Sequence, residues 1–282
     1  MATGISAMQG YNSNSIPGLA MVGADVDLYE INSNQKFALG SEVTRQDGNK
    51  YRYCSFVGTA AQGVLVSHVV ADVDNPSTNA LLIAPVSTYQ QPNEPVGTYP
   101  GSIGSRYLVM TLASVIKDQF AGGYMNITKD TGVGYIYRIK GNTATGVGTP
   151  TATVILIELY DKLQVATDLT SDCSIVGSLY TDLVINSVGT NFVTVGVTMA
   201  NMTAGTYGWV CTHGVTTCLQ SDTMVGGDVV QASITVNGAC MSLGVGSTGV
   251  SQVILTGGQN ILGYCIMTSA NAQYATIFLQ LG

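Results

Sequence analysis

An all-β fold is predicted: two β-sandwich or barrel-like domains preceded by an extended N-terminal arm. Three observations lead there. Short runs alternate apolar and polar residues with the two-residue period of a strand. Turn residues interrupt these runs about every 8 to 12 positions, the spacing of sandwiches and barrels. No stretch carries the sustained 3.6-residue periodicity of a long helix.

Residues 1–35 read as the arm. Gly, Ser and Asn dominate, Pro17-Gly18 breaks any regular element, and no charge precedes Asp25. Its apolar residues Ile16, Leu19, Met21 and Val22 suit docking onto a partner, and they are the predicted partner-contact residues. From Phe37 the strand pattern begins. Glu42 to Arg45 and Lys50 to Phe56 flank Asp47-Gly48, a strong hairpin signal. Tyr51, Tyr53 and Ser55 fall on one face, with Lys50, Arg52, Cys54 and Phe56 on the other. Gly63 to His68 makes a further strand. Residues 73–105 hold most of the prolines and read as a long irregular connection around Leu81-Leu82-Ile83. Tyr107 to Lys117 fits both periods, with strand favoured.

The run Phe120 to Asn142 is the organising hairpin. Tyr124 to Thr128 alternates, Lys129-Asp130-Thr131-Gly132 turns, and Tyr135, Tyr137 and Ile139 then share one face against Ile136, Arg138 and Lys140. Gly141-Asn142 is expected to stop that strand. Thr151 to Leu159 follows as another. Turn-rich sequence from Val165 to Cys173 places a boundary, giving an arm at 1–35, an N-terminal β domain at 36–168 and a C-terminal β domain at 169–282. Strands are then expected at Leu183–Ile185, Val193–Val197, Gly208–Cys211, Asp228–Val230, Ser251–Leu255 and Ala275–Leu279. Tyr51-Arg52-Tyr53-Cys54 and Gly208-Trp209-Val210-Cys211, each followed by a Gly- and Val-rich run, form a faint internal echo that two related barrels would explain.

Composition narrows the function. Charged residues are 10% of the chain against roughly 25% in ordinary globular domains, so much of the surface is uncharged and an assembled protein is favoured over a free monomer. Net charge is −7 and the ten Lys and Arg are scattered, which argues against nucleic-acid binding. No segment approaches 18 consecutive apolar residues, so neither a membrane-spanning helix nor a membrane partner is expected. No Lys or Arg precedes Lys36, so a secretory leader is not expected and the chain is expected to be made and kept in a cytoplasm until release.

No catalytic constellation or cofactor motif emerges. Gly244 to Gly249 matches GxGxxG literally but lacks the following helix and the distal acid, since no Asp or Glu follows Asp228. His213 lies near Cys211 and Cys218, one ligand short of a zinc set, and reads as a hairpin-tip residue. Those two cysteines are the one plausible bridge, and only if Gly214-Val215 forms the turn; otherwise all six cysteines are small buried hydrophobes. Asp25, Asp27, Asp72 and Asp74 resemble fragments of calcium loops without the Gly and bidentate Glu such loops use. Asp130 and Asp161 read as turn caps.

Three blocks carry a resemblance. Phe120-Ala121-Gly122-Gly123-Tyr124-Met125, continuing from Gly134 to Asn142, resembles a motif block in virion structural proteins of marine and freshwater (cyanophage-like) tailed phages. So do Leu39-Gly40 with Asp47 to Tyr53, and Gly205 to Gly214, where the family commonly has Gln in place of Cys211. The resemblance spans residues 39–282 and leaves the arm outside. It implies a capsid decoration (cement) protein, bound to the outside of a shell built from a different major capsid protein. It also implies a homo-oligomer, typically a trimer, with no catalytic residues and no cofactor. The alternatives are a receptor- or carbohydrate-binding head or tail fibre or spike, for which exposed Tyr207 and Trp209 would be the aromatic platform, and, further off, the major capsid protein, which needs a long spine helix.

Overall fold

Alternating residues become strands where one face finds a core to bury in. In the computed structural model of this chain, seventeen strands form among the described residues, and no helix does. The structure describes residues 26–68, 100–147, 154–168, 170–188, 193–243 and 261–281, with the backbone alone at 21–22 and 81–82. The strands are β1 (Met21–Val22), β2 (Glu42–Thr44), β3 (Lys50–Phe56), β4 (Leu65–His68), β5 (Leu81–Leu82), β6 (Tyr107–Thr111), β7 (Tyr124–Lys129), β8 (Ile136–Asn142) and β9 (Val154–Leu159). They continue as β10 (Asp172–Val176), β11 (Leu183–Ile185), β12 (Val193–Thr198), β13 (Thr206–Leu219), β14 (Val229–Ala232), β15 (Cys240–Ser242), β16 (Ile261–Met267) and β17 (Tyr274–Gln280).

Two units result, but not in the consecutive order expected. Residues 1–69 join residues 179–282 in one unit, and residues 70–178 form the other. The expected boundary at 168 would cut off β10, which pairs along β7 and sends Cys173 and Ile175 into the second unit's core. Turn-rich composition marks the loop before β10, whereas the chain returns to the first unit after it.

The first unit is built on a five-stranded barrel ordered β3–β11–β4–β12–β13, which closes where β13 pairs with β3. All five strands contribute to one apolar cluster, including Phe56, Val66, Leu183, Val195 and Val210. The alternate residues Tyr53, Leu65, Val197 and Trp209 pack in a second cluster with Val230, Leu262, Ile277 and Leu279 from the sheet beyond. Tyr53 and Trp209 meet edge to face at 5.1 Å, with Phe37 against both rings. The internal echo is therefore not a second barrel. Tyr53 pairs with Trp209 and Cys54 with Gly208, so the two segments are antiparallel neighbours in one barrel.

β13 continues past the barrel as the first strand of a second sheet segment, β13–β17–β16–β14–β15. Residues 206–211 pair with β3 and residues 213–219 with β17. Cys211 and Cys218 thus lie on one extended strand, roughly 23 Å apart at ~3.3 Å per residue, far beyond disulfide reach. The expected turn at Gly214 is instead a junction. The register slips between Cys211 and His213, which reverses side-chain parity and keeps both Cys211 and Cys218 on the same core. At Gly214 φ is 101°, and a Cβ there would lie 1.9 Å from Asn49 Oδ1. The Asn49 amide does a neighbouring strand's work at that point. Its Oδ1 accepts from the Val215 N–H at 2.9 Å and its Nδ2 donates to the Val215 carbonyl at 3.3 Å.

The second unit is a sheet ordered β5–β10–β7–β8–β9–β6 over a core of Leu108, Met125, Ile139, Ile155 and Ile175. The predicted hairpin is present, with Tyr137 and Ile139 buried and Ile136 exposed. Gly141 and Asn142 continue β8 rather than stopping it, because a register shift after Ile139 bends the strand along β9. Tyr107 to Lys117 divides: strand to Thr111, then irregular chain. The buried Asn142 side chain holds that irregular chain, accepting from Phe120 N–H and donating to the Ile116 and Thr143 carbonyls, each at 2.9 Å.

Gly214→Ala is expected to destabilise the first unit by about 2–4 kcal/mol, combining left-handed strain with the Asn49 clash. Asn49→Ala is expected to cost about 1 kcal/mol through loss of its two bonds to the solvent-accessible Val215 backbone. Denaturant melts of both variants measure this; unchanged midpoints would show that the junction is dispensable.

Candidate functional site

The four residues predicted to touch a partner are only partly within view. Ile16 and Leu19 lie outside the described residues. Met21 and Val22 form β1, whose backbone pairs in parallel with Val43 and Thr44 of β2. Residues 26–35 are not free arm. Leu28 is buried in the first unit's core, and Asn32 exchanges both backbone hydrogen bonds with Tyr207 at 2.9 and 2.8 Å.

Among the described residues no group of His, Cys, Asp and Glu is arranged to hold a metal ion. His213 is no hairpin tip. It sits mid-strand, edge-on to Phe278 at 5.4 Å. The GxGxxG segment, Asp25, Asp72 and Asp74 lie outside the described residues. Asp27 caps a turn through the Tyr29 N–H. None of the six cysteines is in a disulfide, and all are buried. Burial pushes the Cys211 thiol up to about 11, and raises Cys54 and Cys218 well above the ordinary thiol range for the same reason. Trp209 is 1% exposed and Tyr207 is half-buried, stacked on Tyr53, so this pair presents no aromatic platform.

One cleft in the second unit does combine an aromatic ring with carboxylates. It has a volume of about 390 Å³ and is lined by Tyr107, Lys117, Asp118, Asn142, Leu156 and Glu158. A Cβ at Gly141 would come within 2.6 Å of Asp118 Oδ1, so the missing side chain gives that carboxylate its position. Lys140 Nζ binds Glu158 at 2.6 Å.

An uncharged surface is formed by the outward face of β14–β16–β17–β13. Register places Val229, Tyr264, Phe278 and Val215 side by side across these four strands. Tyr264 and Val215 are nearly half exposed, and Ile266, Met267, Thr217 and Tyr274 extend the face along the strands. No Asp, Glu, Lys or Arg stands on β13, β14, β16 or β17. Residues 229–282 contain none of the four, and no Lys or Arg follows Lys162. Four strands at ~4.8 Å spacing and seven residues at ~3.4 Å rise give a plan area on the order of 450 Å². The largest apolar patch on a typical monomer spans roughly 300–600 Å² and is often functional, which makes this face a candidate site, whereas scattered exposed apolar residues need no explanation.

Compared with protein-family models, curated proteins and solved structures, the chain matches none. Two of the three blocks singled out in the sequence come together in the fold. Leu39 to Tyr53 runs into β3, and Gly205 to Gly214 is the part of β13 that pairs with it. The third, Phe120 to Asn142, is the central hairpin of the second unit. None of the three covers the apolar face. Strand β16 was missed because Gly263 interrupts its alternation, and the signal available for the face was the missing charge after Asp228.

Electrostatics is concentrated elsewhere. In the second unit Asp168 accepts from the Thr170 hydroxyl at 2.6 Å and N–H at 2.8 Å, and from the Thr131 hydroxyl at 2.8 Å. These bonds tie the β7–β8 turn to the segment before β10, and they lower the Asp168 pKa to about 2, the Thr170 hydroxyl foremost. A depressed folded-state pKa means that the carboxylate stabilises the fold above its unfolded pKa of about 3.9, and that this is lost as pH falls towards 2. Asp168→Asn is therefore expected to flatten the fall in stability between about pH 4 and pH 2, read from denaturant midpoints measured across that range. Ellman's reagent is expected to label essentially no thiol in the folded chain and all six after denaturation. Rapid native labelling would contradict the burial described.

Proposed function

We propose that this chain is a non-enzymatic virion structural protein, a cement or decoration protein that binds the outside of a phage capsid as a homo-oligomer, a trimer in the reading we favour. Its partners would be the major capsid protein and further copies of itself, and it would reside on the capsid surface after synthesis in the host cytoplasm. The observation that carries this reading is the uncharged, apolar sheet face of the first unit. A chain with so few charges, and with a whole sheet face lacking them, suits a protein whose surface is covered by other subunits. The resemblance of the three sequence blocks supports the same class. Weak contacts repeated over many copies on a shell would combine into tight binding. The arm remains the proposed anchor to the shell, now shortened: Met21 and Val22 pair with β2 and residues 26–35 belong with the barrel unit, leaving Ile16 and Leu19 for that role.

A second reading, glycan binding by a virion spike or fibre protein, is favoured by the cleft of Tyr107, Asp118 and Glu158. A tyrosine ring beside two carboxylates offers the stacking surface and hydrogen-bond acceptors that a sugar uses, in a volume within the usual range for small ligands. The major capsid protein reading lacks such support, since no spine helix occurs among the described residues.

Co-sedimentation with emptied phage shells tests the proposal. Saturable binding at a fixed number of copies per shell is expected, and removal of residues 1–20 is expected to abolish it without altering the circular dichroism of the fold. A chain that ignores shells but is retained on a polysaccharide, and is released by Tyr107→Ala, would move the assignment to the second reading.

A further inference from the structure

We infer that a cleft beside Tyr274 in the first unit is a binding site for a neutral sugar. The inference does not rest on the shell-binding reading, and its site lies in a different unit from the Tyr107 cleft.

The cleft holds about 350 Å³ and is lined by Ala61, Gln62, Gly63, Asn201, Thr217 and Tyr274. Its walls are pinned by hydrogen bonds. Ala60 and Met202 exchange backbone bonds at 3.0 and 2.7 Å, and the Thr198 hydroxyl donates to the Ala61 carbonyl at 2.6 Å. The Leu219 N–H donates to the Gly63 carbonyl at 2.9 Å, which ties the same loop to β13. Walls held in this way need little ordering when a ligand arrives. Gly63 seats the ring. Its φ is 73°, and a Cβ there would lie 2.7 Å from Tyr274 Cε1, so the missing side chain lets the ring come this close to the loop. Tyr274 is nonetheless 47% exposed, held along one edge and otherwise open to solvent.

The polar groups select the ligand. Asn201 Oδ1 accepts from the Gln62 N–H at 2.8 Å, which orients the amide and leaves its Nδ2 with no protein partner among the described residues. The Gln62 amide and the Thr217 hydroxyl add both donors and acceptors. An apolar ligand would strip water from these groups without replacing its hydrogen bonds. No Asp, Glu, Lys or Arg lines the cleft, so a phosphate, carboxylate or ammonium group would lose water there with no counter-charge. Nucleotides and acidic sugars are thereby disfavoured. A neutral pyranose meets each condition: its hydroxyls pair with uncharged donors and acceptors, and its apolar C–H face covers the open part of the Tyr274 ring. The volume lies near the lower end of the usual range for small-ligand sites, which suits a mono- or disaccharide unit.

Saturation-transfer NMR on the full chain tests this, with glucose, galactose, mannose and N-acetylglucosamine as probes and glucuronate and galacturonate as charged counterparts. At least one neutral sugar is expected to bind with a Kd on the order of millimolar, and its charged counterpart at least about tenfold more weakly. Tyr274→Ala is expected to weaken binding at least about tenfold, whereas Tyr274→Phe, which keeps the ring, stays within about threefold of the unaltered chain. Near-ultraviolet circular dichroism checks the fold of each variant. Gln62→Ala, at an exposed loop position, is expected to weaken binding about threefold and gives a reading independent of the ring. Tyr107→Ala, in the other unit, is expected to leave this binding in place. Failure of every neutral sugar to bind, equal binding of the charged counterparts, or loss of binding in Tyr107→Ala but not in Tyr274→Ala overturns the inference. Failure of shell co-sedimentation leaves the inference standing, and failure of sugar binding leaves the cement reading standing.

Discussion

A single strand fixes the first unit. β13 closes the barrel against β3 with its first half and founds the outer sheet against β17 with its second. A strand pairing in two directions faces a parity problem, because side chains alternate and the residues buried in one context need not be those buried in the next. The register slip between Cys211 and His213 resolves it, placing Trp209, Cys211 and Cys218 on one core despite their unequal spacing. The slip leaves Val215 without a backbone neighbour on one side, and the Asn49 amide takes that place. Asn49 comes from the turn between β2 and β3. The tip of one hairpin thus secures the point at which another strand leaves the barrel.

The insertion of the second unit follows the same economy. His68 at the end of β4 pairs with Leu183 at the start of β11, so the chain leaves and rejoins the barrel at one place. Closing a loop of over a hundred residues costs only ~2 kcal/mol more than closing one of ten, and a segment with its own core reduces even that difference. Asn142 and Asp168 organise the inserted unit locally, each by holding irregular chain against a strand or turn. These side-chain bonds stand where the backbone ladder stops.

What the sequence made legible was local. The Asp47-Gly48 and Lys129-to-Gly132 hairpins, and the faces of Tyr53, Tyr137 and Ile139, follow from period two and turn chemistry alone. Connections between distant strands were not legible, since neither alternation nor turn residues encode which strand pairs with which. Hence β10 was placed in the wrong domain, and β3 and β13 appeared as repeats when they are neighbours. Gly214 misled for a specific reason: a glycine between β-like runs signals a turn, yet its left-handed φ here serves an unbroken strand. The candidate site was legible only as an absence. The missing charge after Asp228 was visible, but Phe278, Tyr264, Val215 and Val229 become one surface only through the register of four strands.

That surface owes its character to where the chain keeps its charge. Here the cations are confined to residues 36–162 and the last acid is Asp228. The outer sheet is made from strands that follow or lie outside the charged stretches. An alternating strand leaves its outward face free of charge only where the sequence supplies no Asp, Glu, Lys or Arg, and residues 229–282 meet that condition throughout. The uncharged face thus comes from one late stretch of chain together with the second half of β13, and strand register joins the two into one surface.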